Sequence, residues 1–90
     1  MGYGFRMSAT IRRIKVFFAI PGKKTVDEMW VPTDYTVFQM MEAWAQKKRI
    51  LPNNVVLFQA FRDERCTDPY PLGECVLSAG VGSTVYIRSG

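Results

Sequence analysis

TVFQMMEAWAQKKRILP, residues Thr36 to Pro52, is the stretch on which the fold turns. Thr36 followed three residues later by Gln39 makes a capping box, in which each side chain satisfies the other residue's free amide, and a helix is predicted to open there. Val37, Met40, Met41 and Trp44 recur at i, i+3, i+4 and i+7 as one apolar stripe, while Lys47, Lys48 and Arg49 crowd the last turn, where the helix dipole favours cations. Pro52 is expected to end the helix. One amphipathic helix needs an apolar surface to cover, and the flanking segments offer it.

Upstream, Ile14, Val16, Phe18 and Ile20 alternate with Arg13, Lys15, Phe17 and Ala19, the period of a strand, with Lys15 marking the solvent side. Ile20-Pro21-Gly22-Lys23 then has the chemistry of a type II turn, Pro presetting one φ and Gly tolerating the positive one that follows. In the second strand, Thr25 to Val31, Val26, Glu28 and Trp30 lie on one side and Asp27, Met29 and Val31 on the other. Neither side is cleanly apolar, which predicts a bulge. Pro32-Thr33-Asp34 breaks the strand.

Downstream, Val55 to Phe61 is a β-prone apolar run, and Arg62 to Pro71, with two prolines, reads as loop. Gly80 and Gly82 lead into a last strand, Ser83 to Arg88, where Val85 and Ile87 alternate with Thr84, Tyr86 and Arg88. The order is ββαββ. It predicts an α+β fold, a mixed four- to five-stranded sheet with one main helix packed across one face. The expected core is Ile14, Val16, Phe18, Val37, Met40, Trp44, Leu57, Val85 and Ile87.

These residues resemble the ubiquitin-like β-grasp family over roughly Ile14 to Arg88: the first strand Ile14-Lys15-Val16-Phe17-Phe18, the Pro-Gly turn, Val31-Pro32-Thr33-Asp34, and the helix spacing of Val37, Met40, Trp44, Ile50 and Pro52. Leu57-Phe58 and Gly82 to Ile87 follow as that family's third and last strands do. The resemblance implies a first strand lying beside the last, with the third on the last strand's other side. It also implies that Phe58 stands at the centre of the patch most ubiquitin-binding domains recognise, while Arg88 replaces an aliphatic member of it, so that ubiquitin's own partners are not expected here. The Arg62 to Pro71 loop is longer than ubiquitin's.

Ninety residues bound a single domain, expected from 11 to 90, and residues 1–10, aperiodic and Gly-containing, read as a flexible leader or expression remnant. At 48% hydrophobic and 22% charged the composition is that of a soluble globular protein, and no apolar run approaches the ~20 residues of a membrane span. The first six residues begin like a myristoylation signal but place Arg6 where Ser or Thr is required, and no secretion signal follows, so an intracellular, cytoplasmic location is the default. With no histidine, Cys66 and Cys75 cannot complete an ordinary zinc site and are read as reduced thiols. The carboxylates Asp63, Glu64, Asp68 and Glu74 lie in or beside a proline-broken stretch with no imposed geometry, and no imidazole base accompanies them. The chain is therefore read as no enzyme, with no cofactor and no metal.

That leaves binding. If Lys15 and Arg88 face solvent, alternation places Phe17 and Tyr86 beside them, and the family match adds Phe58, with Val56 and Ala19 on the same face. The expected partner site is Arg13, Lys15, Phe17, Val56, Phe58, Tyr86 and Arg88, and a secondary basic patch comprises Lys23, Lys24, Lys47, Lys48 and Arg49. The net charge of +4 favours an acidic or hydrophobic peptide or surface of another protein, as in a scaffold or adaptor; self-association is the variant in which the partner is a second copy. No nucleic-acid fingerprint accompanies the charge. The alternative is a ubiquitin-like modifier with a truncated tail, because Ser89 and Gly90 reach only about 7 Å beyond Arg88. A Ras-binding type of domain would use the basic hairpin and helix end, but Asp27 and Glu28 on its pairing strand oppose an acidic partner.

Overall fold

The computed structural model describes residues 12–89; the expected leader, residues 1–10, lies outside them. The hairpin forms at the turn its residues specify: Gly22 takes φ 91° and the Lys23 amide donates to the Ile20 carbonyl at 2.9 Å. It joins β1 (Arg13–Ala19) to β2 (Val26–Pro32), antiparallel and in register from Arg13 opposite Pro32 to Ala19 opposite Val26. No bulge interrupts them, contrary to the sequence expectation. Its apparent cause, Asp27 among the inward residues, has a chemical answer. The Asp27 carboxylate accepts the Trp44 indole N–H at 3.4 Å and pairs with Lys48 at 3.2 Å, so a charged side chain sits at the margin of the core without being orphaned.

Helix α1 (Val37–Lys47) opens on the capping box, with Gln39 N–H to Thr36 Oγ1 at 3.0 Å and Thr36 N–H to Gln39 Oε1 at 2.9 Å. The Val37 and Phe38 amides donate to the carbonyls of Glu74 and Leu72, which ties the helix start to the segment preceding the last strand. The helix ends at Lys47, five positions before Pro52. Arg49 enters the left-handed region at φ 61°, its amide bonds Gln46 O, and the Ile50 amide bonds Ala45 O, the paired closure of a Schellman motif. Pro52 instead opens a 3-10 turn, Pro52–Leu57, which consumes the first half of the run expected to be strand.

Strands β3 (Phe58–Phe61) and β4 (Thr84–Ser89) complete a four-stranded mixed sheet in the order β2-β1-β4-β3, with β1 and β4 parallel and the other pairs antiparallel. Val16, Phe18, Val31, Val37, Met40, Met41, Trp44, Val85 and Ile87 are buried between helix and sheet, with Ile14 half-buried against them. Trp44 stacks on Phe18 at 6.2 Å between ring centres and meets Phe58 edge-on at 5.6 Å. Leu57, expected in the core, is 52% exposed because it belongs to the 3-10 turn and not to a strand.

Candidate interaction face

Parity settles which side chains share the outer face of the sheet. On β1 the buried Val16 and Phe18 leave Arg13, Lys15, Phe17 and Ala19 outward, and the register carries Val26, Glu28 and Trp30 of β2 to the same side. On β4 the buried Val85 and Ile87 leave Thr84, Tyr86 and Arg88 outward. On β3 the residue that joins the core cluster is Ala60, which pairs with Ile87, so Phe58 lies on the core side and Gln59 and Phe61 are on the other face. This corrects two sequence expectations. Phe58 packs on Trp44 and is no part of the outer face, and Val56, although 69% exposed, stands on the 3-10 turn and off the sheet.

Phe61 takes the place expected of Phe58, opposite Tyr86, yet it is only 3% exposed and lies under the Arg88 guanidinium, 5.3 Å from its ring centre. Phe17 and Tyr86 are half-buried. The open apolar surface has moved toward the β1–β2 side, where Trp30 is 60% and Val26 51% exposed. Lys15 lies opposite Trp30, its ammonium 5.9 Å from that ring, 5.8 Å from the Phe17 ring and 3.2 Å from the Glu28 carboxylate. Both members of that ion pair are about half exposed, which holds its contribution to at most about 1 kcal/mol. What it does is fix a cation between two aromatic rings.

The secondary basic patch is partly committed elsewhere. Lys48 pairs with Asp27, and the Lys47 ammonium donates to the Glu28 carbonyl at 2.6 Å, so both lysines fasten the helix end to the free edge of β2. Lys23, Lys24 and Arg49 stand exposed. The 62–69 loop is also more ordered than its composition suggests. Asp63 accepts from the Thr67 hydroxyl and from the Thr67 and Asp68 amides; the hydroxyl chiefly, then the amides, hold its carboxyl lowered against the opposing effect of desolvation. Arg62 lies 4.3 Å from the Tyr70 ring centre and pairs with Asp68 at 3.5 Å. Both cysteines are free; Cys66, at φ 57°, is buried beside a cavity of about 310 Å³ lined also by Ile20, Arg65 and Arg88, and Cys75 is exposed. Among the described residues no group of three His, Cys, Asp or Glu side chains is placed to hold a metal, and no helix is long and apolar enough to cross a membrane.

Sequence reasoning missed Phe61, Trp30 and Val26. Gln59 was the available signal for the first, since a polar residue in an apolar run marks the solvent side and Phe61 lies two positions on. For Trp30 and Val26 it was their sharing a face with Glu28, hidden by the unexplained Asp27.

The chain is similar to a solved structure described by the words "Molecular Mimicry of SUMO promotes DNA repair", with a TM-score of 0.68 and 13% identity over 84% of this chain and 90% of that one. At that identity the likeness concerns the fold alone, and it supports a ubiquitin-like β-grasp arrangement. No family profile and no curated protein matches the sequence.

Proposed function

We propose that this domain is a non-catalytic protein-interaction module, a ubiquitin-like domain serving a scaffold or adaptor, whose outer sheet face receives an acidic segment of another protein bearing at least one large apolar side chain. The observation that carries this is the combination on one face of an open Trp30 with a cation, Lys15, held between two rings. Aromatic anchors ringed by polar groups are the usual centres of protein interfaces. Arg13, Lys15 and Arg88 against the single Glu28 give the face an excess of positive charge, which would steer a negative partner and disfavour a like-charged one. Phe17 and Tyr86, half-buried between the charged positions, would form the floor on which the partner's apolar side chain rests.

A peptide library displayed on phage and panned against the domain tests this. Selected sequences should be rich in Asp and Glu beside an aromatic or aliphatic residue, and titration of one such synthetic peptide should shift the amide signals of Lys15, Phe17, Trp30 and Tyr86. Trp30→Ala and Lys15→Glu should each abolish selection. Peptides that are basic, or shifts confined to the helix, would remove the proposal.

A further inference from the structure

Strand β2 is an edge of the sheet, and among the described residues no strand pairs with its outer side. The Thr33 amide bonds the Arg12 carbonyl, which fixes the side of the strand that pairs with β1: Val31, Met29 and Asp27 turn their amides and carbonyls toward it. Trp30, Glu28 and Val26 therefore turn theirs away from the sheet, a row of donors and acceptors of the kind that another strand can extend. One acceptor in that row is taken. The carbonyl of Glu28, the middle residue, accepts the Lys47 ammonium at 2.6 Å. Lys48 beside it is held on Asp27 at 3.2 Å, and Asp27 also takes the Trp44 indole N–H, so Lys47 reaches the edge from a helix end that is anchored there.

We propose that Lys47 is a guard on this edge: its ammonium on the Glu28 carbonyl keeps β2 from pairing with β2 of a second copy. The strand is suited to that pairing in one register. Set antiparallel about a two-fold axis through Glu28, two such strands place Val26 of each copy opposite Trp30 of the other, and all three outward residues exchange backbone bonds. Val26 and Trp30, 51% and 60% exposed, would then cover one another on the outer face. The two Glu28 carboxylates that meet at the axis each have a Lys15 ammonium at 3.2 Å to offset their repulsion. Lys47 opposes this arrangement twice. It occupies the carbonyl that the central pair of bonds requires, and because it is bound to the residue on the axis, the two-fold operation brings the two ammoniums together. Lysine at a sheet edge is a common means of keeping the strands of separate molecules apart.

Sedimentation equilibrium of the 90-residue protein and of its Lys47→Ala variant, from about 10 µM to about 1 mM, tests this. Lys47→Ala removes the ammonium without adding apolar surface, and it should associate at least about tenfold more tightly than the wild-type chain. Lys47→Arg keeps the charge and should behave as the wild type. Adding Glu28→Pro to Lys47→Ala should abolish the gain, because proline deletes the outward amide at the axis and no bond to β1. Raising the salt should strengthen association of the wild-type chain by screening the two ammoniums, and should leave Lys47→Ala nearly unchanged. Hydrogen exchange locates the contact: in concentrated Lys47→Ala the amides of Val26, Glu28 and Trp30 should become protected, while in the wild-type chain they exchange freely. A Lys47→Ala variant that associates no more tightly than the wild type, association that persists with Glu28→Pro, or protection gained at other amides overturns the proposal.

Discussion

The chain's two tryptophans sit on opposite sides of one sheet, and truncating each in turn tests the packing that everything else depends on. Trp44 is 1% exposed, lies against the rings of Phe18 and Phe58, and donates its indole N–H to Asp27 at 3.4 Å. Trp44→Ala removes a buried aromatic and should cost about 3–5 kcal/mol, the range found for such truncations. At about 0.05–0.15 kcal/mol per residue, the whole domain holds roughly 5–13 kcal/mol, so the variant keeps only part of its stability. Trp44→Phe retains most of the apolar contact and loses the N–H bond. That bond is long, and Asp27 keeps Lys48 as a partner, so the loss should be about 1–2 kcal/mol. Trp30, at 60% exposure, should tolerate Ala within about 0.5 kcal/mol. Urea unfolding followed by far-UV circular dichroism is the suitable assay, because each variant loses a fluorophore, and midpoints should be compared at unchanged m. A cost below about 1 kcal/mol for Trp44→Ala, or a larger one for Trp30→Ala, would mean that the helix does not cover the sheet face described.

Phe17→Ala and Tyr86→Ala should each weaken binding of an acidic peptide selected on the outer face by at least ~2 kcal/mol in calorimetric titration while lowering stability less than a core truncation does; a loss of fold without a loss of affinity would move the site elsewhere. Phe58→Ala should cost more than Leu57→Ala, by about 2 kcal/mol, since only Phe58 packs on Trp44; equal costs in denaturant titration would reverse the parity assigned to β3. Arg49→Gly should stabilise the fold by about 1 kcal/mol, seen as a raised unfolding midpoint, because glycine accepts the left-handed conformation that Arg49 is forced into; a lower midpoint would place the helix end elsewhere. Asp63, its carboxyl lowered chiefly by the Thr67 hydroxyl, contributes stability that is present above the unfolded-state value and is lost as pH falls through its folded value; an NMR titration of the Thr67 and Asp68 amides should therefore show a midpoint below 3.8, and one at or above it would contradict the loop geometry.

The helix, its capping box, the hairpin turn and the alternation of β1 and β4 were all legible in the sequence, because a charged residue, a cap or a Pro-Gly pair marks the solvent side or the boundary of each. Legibility failed where that marking lapsed. From Val55 to Phe61 only Gln59 breaks the apolar run, so the run offered no period from which to place Phe58, and the conversion of its first half into a 3-10 turn left no trace beyond Pro52-Asn53-Asn54. In β2 the ambiguity came from Asp27, whose inward position depends on Trp44 and Lys48, seventeen and twenty-one residues away. Local pattern cannot reveal a partner brought in by the helix. The outer face was therefore foreseen in its charged members, Lys15 and Arg88, and only half foreseen in its aromatic ones.

The parallel pairing of β1 with β4 sets the order in which the molecule becomes itself during synthesis. Among the described elements the two central strands of the sheet are the first and the last in sequence, so Phe18 can meet Val85 only after β2, the helix and β3 have been made. Until Thr84 to Ser89 emerges, β1 holds one neighbour, β3 holds none, and the helix stripe of Val37, Met40 and Trp44 has half a sheet to cover. Contacts between such distant segments close late, and closing them is slow relative to a helical bundle of the same length. A nascent chain that still lacks β4 therefore has the domain's largest apolar side chains made but unsheltered, and such partly assembled states are prone to aggregate.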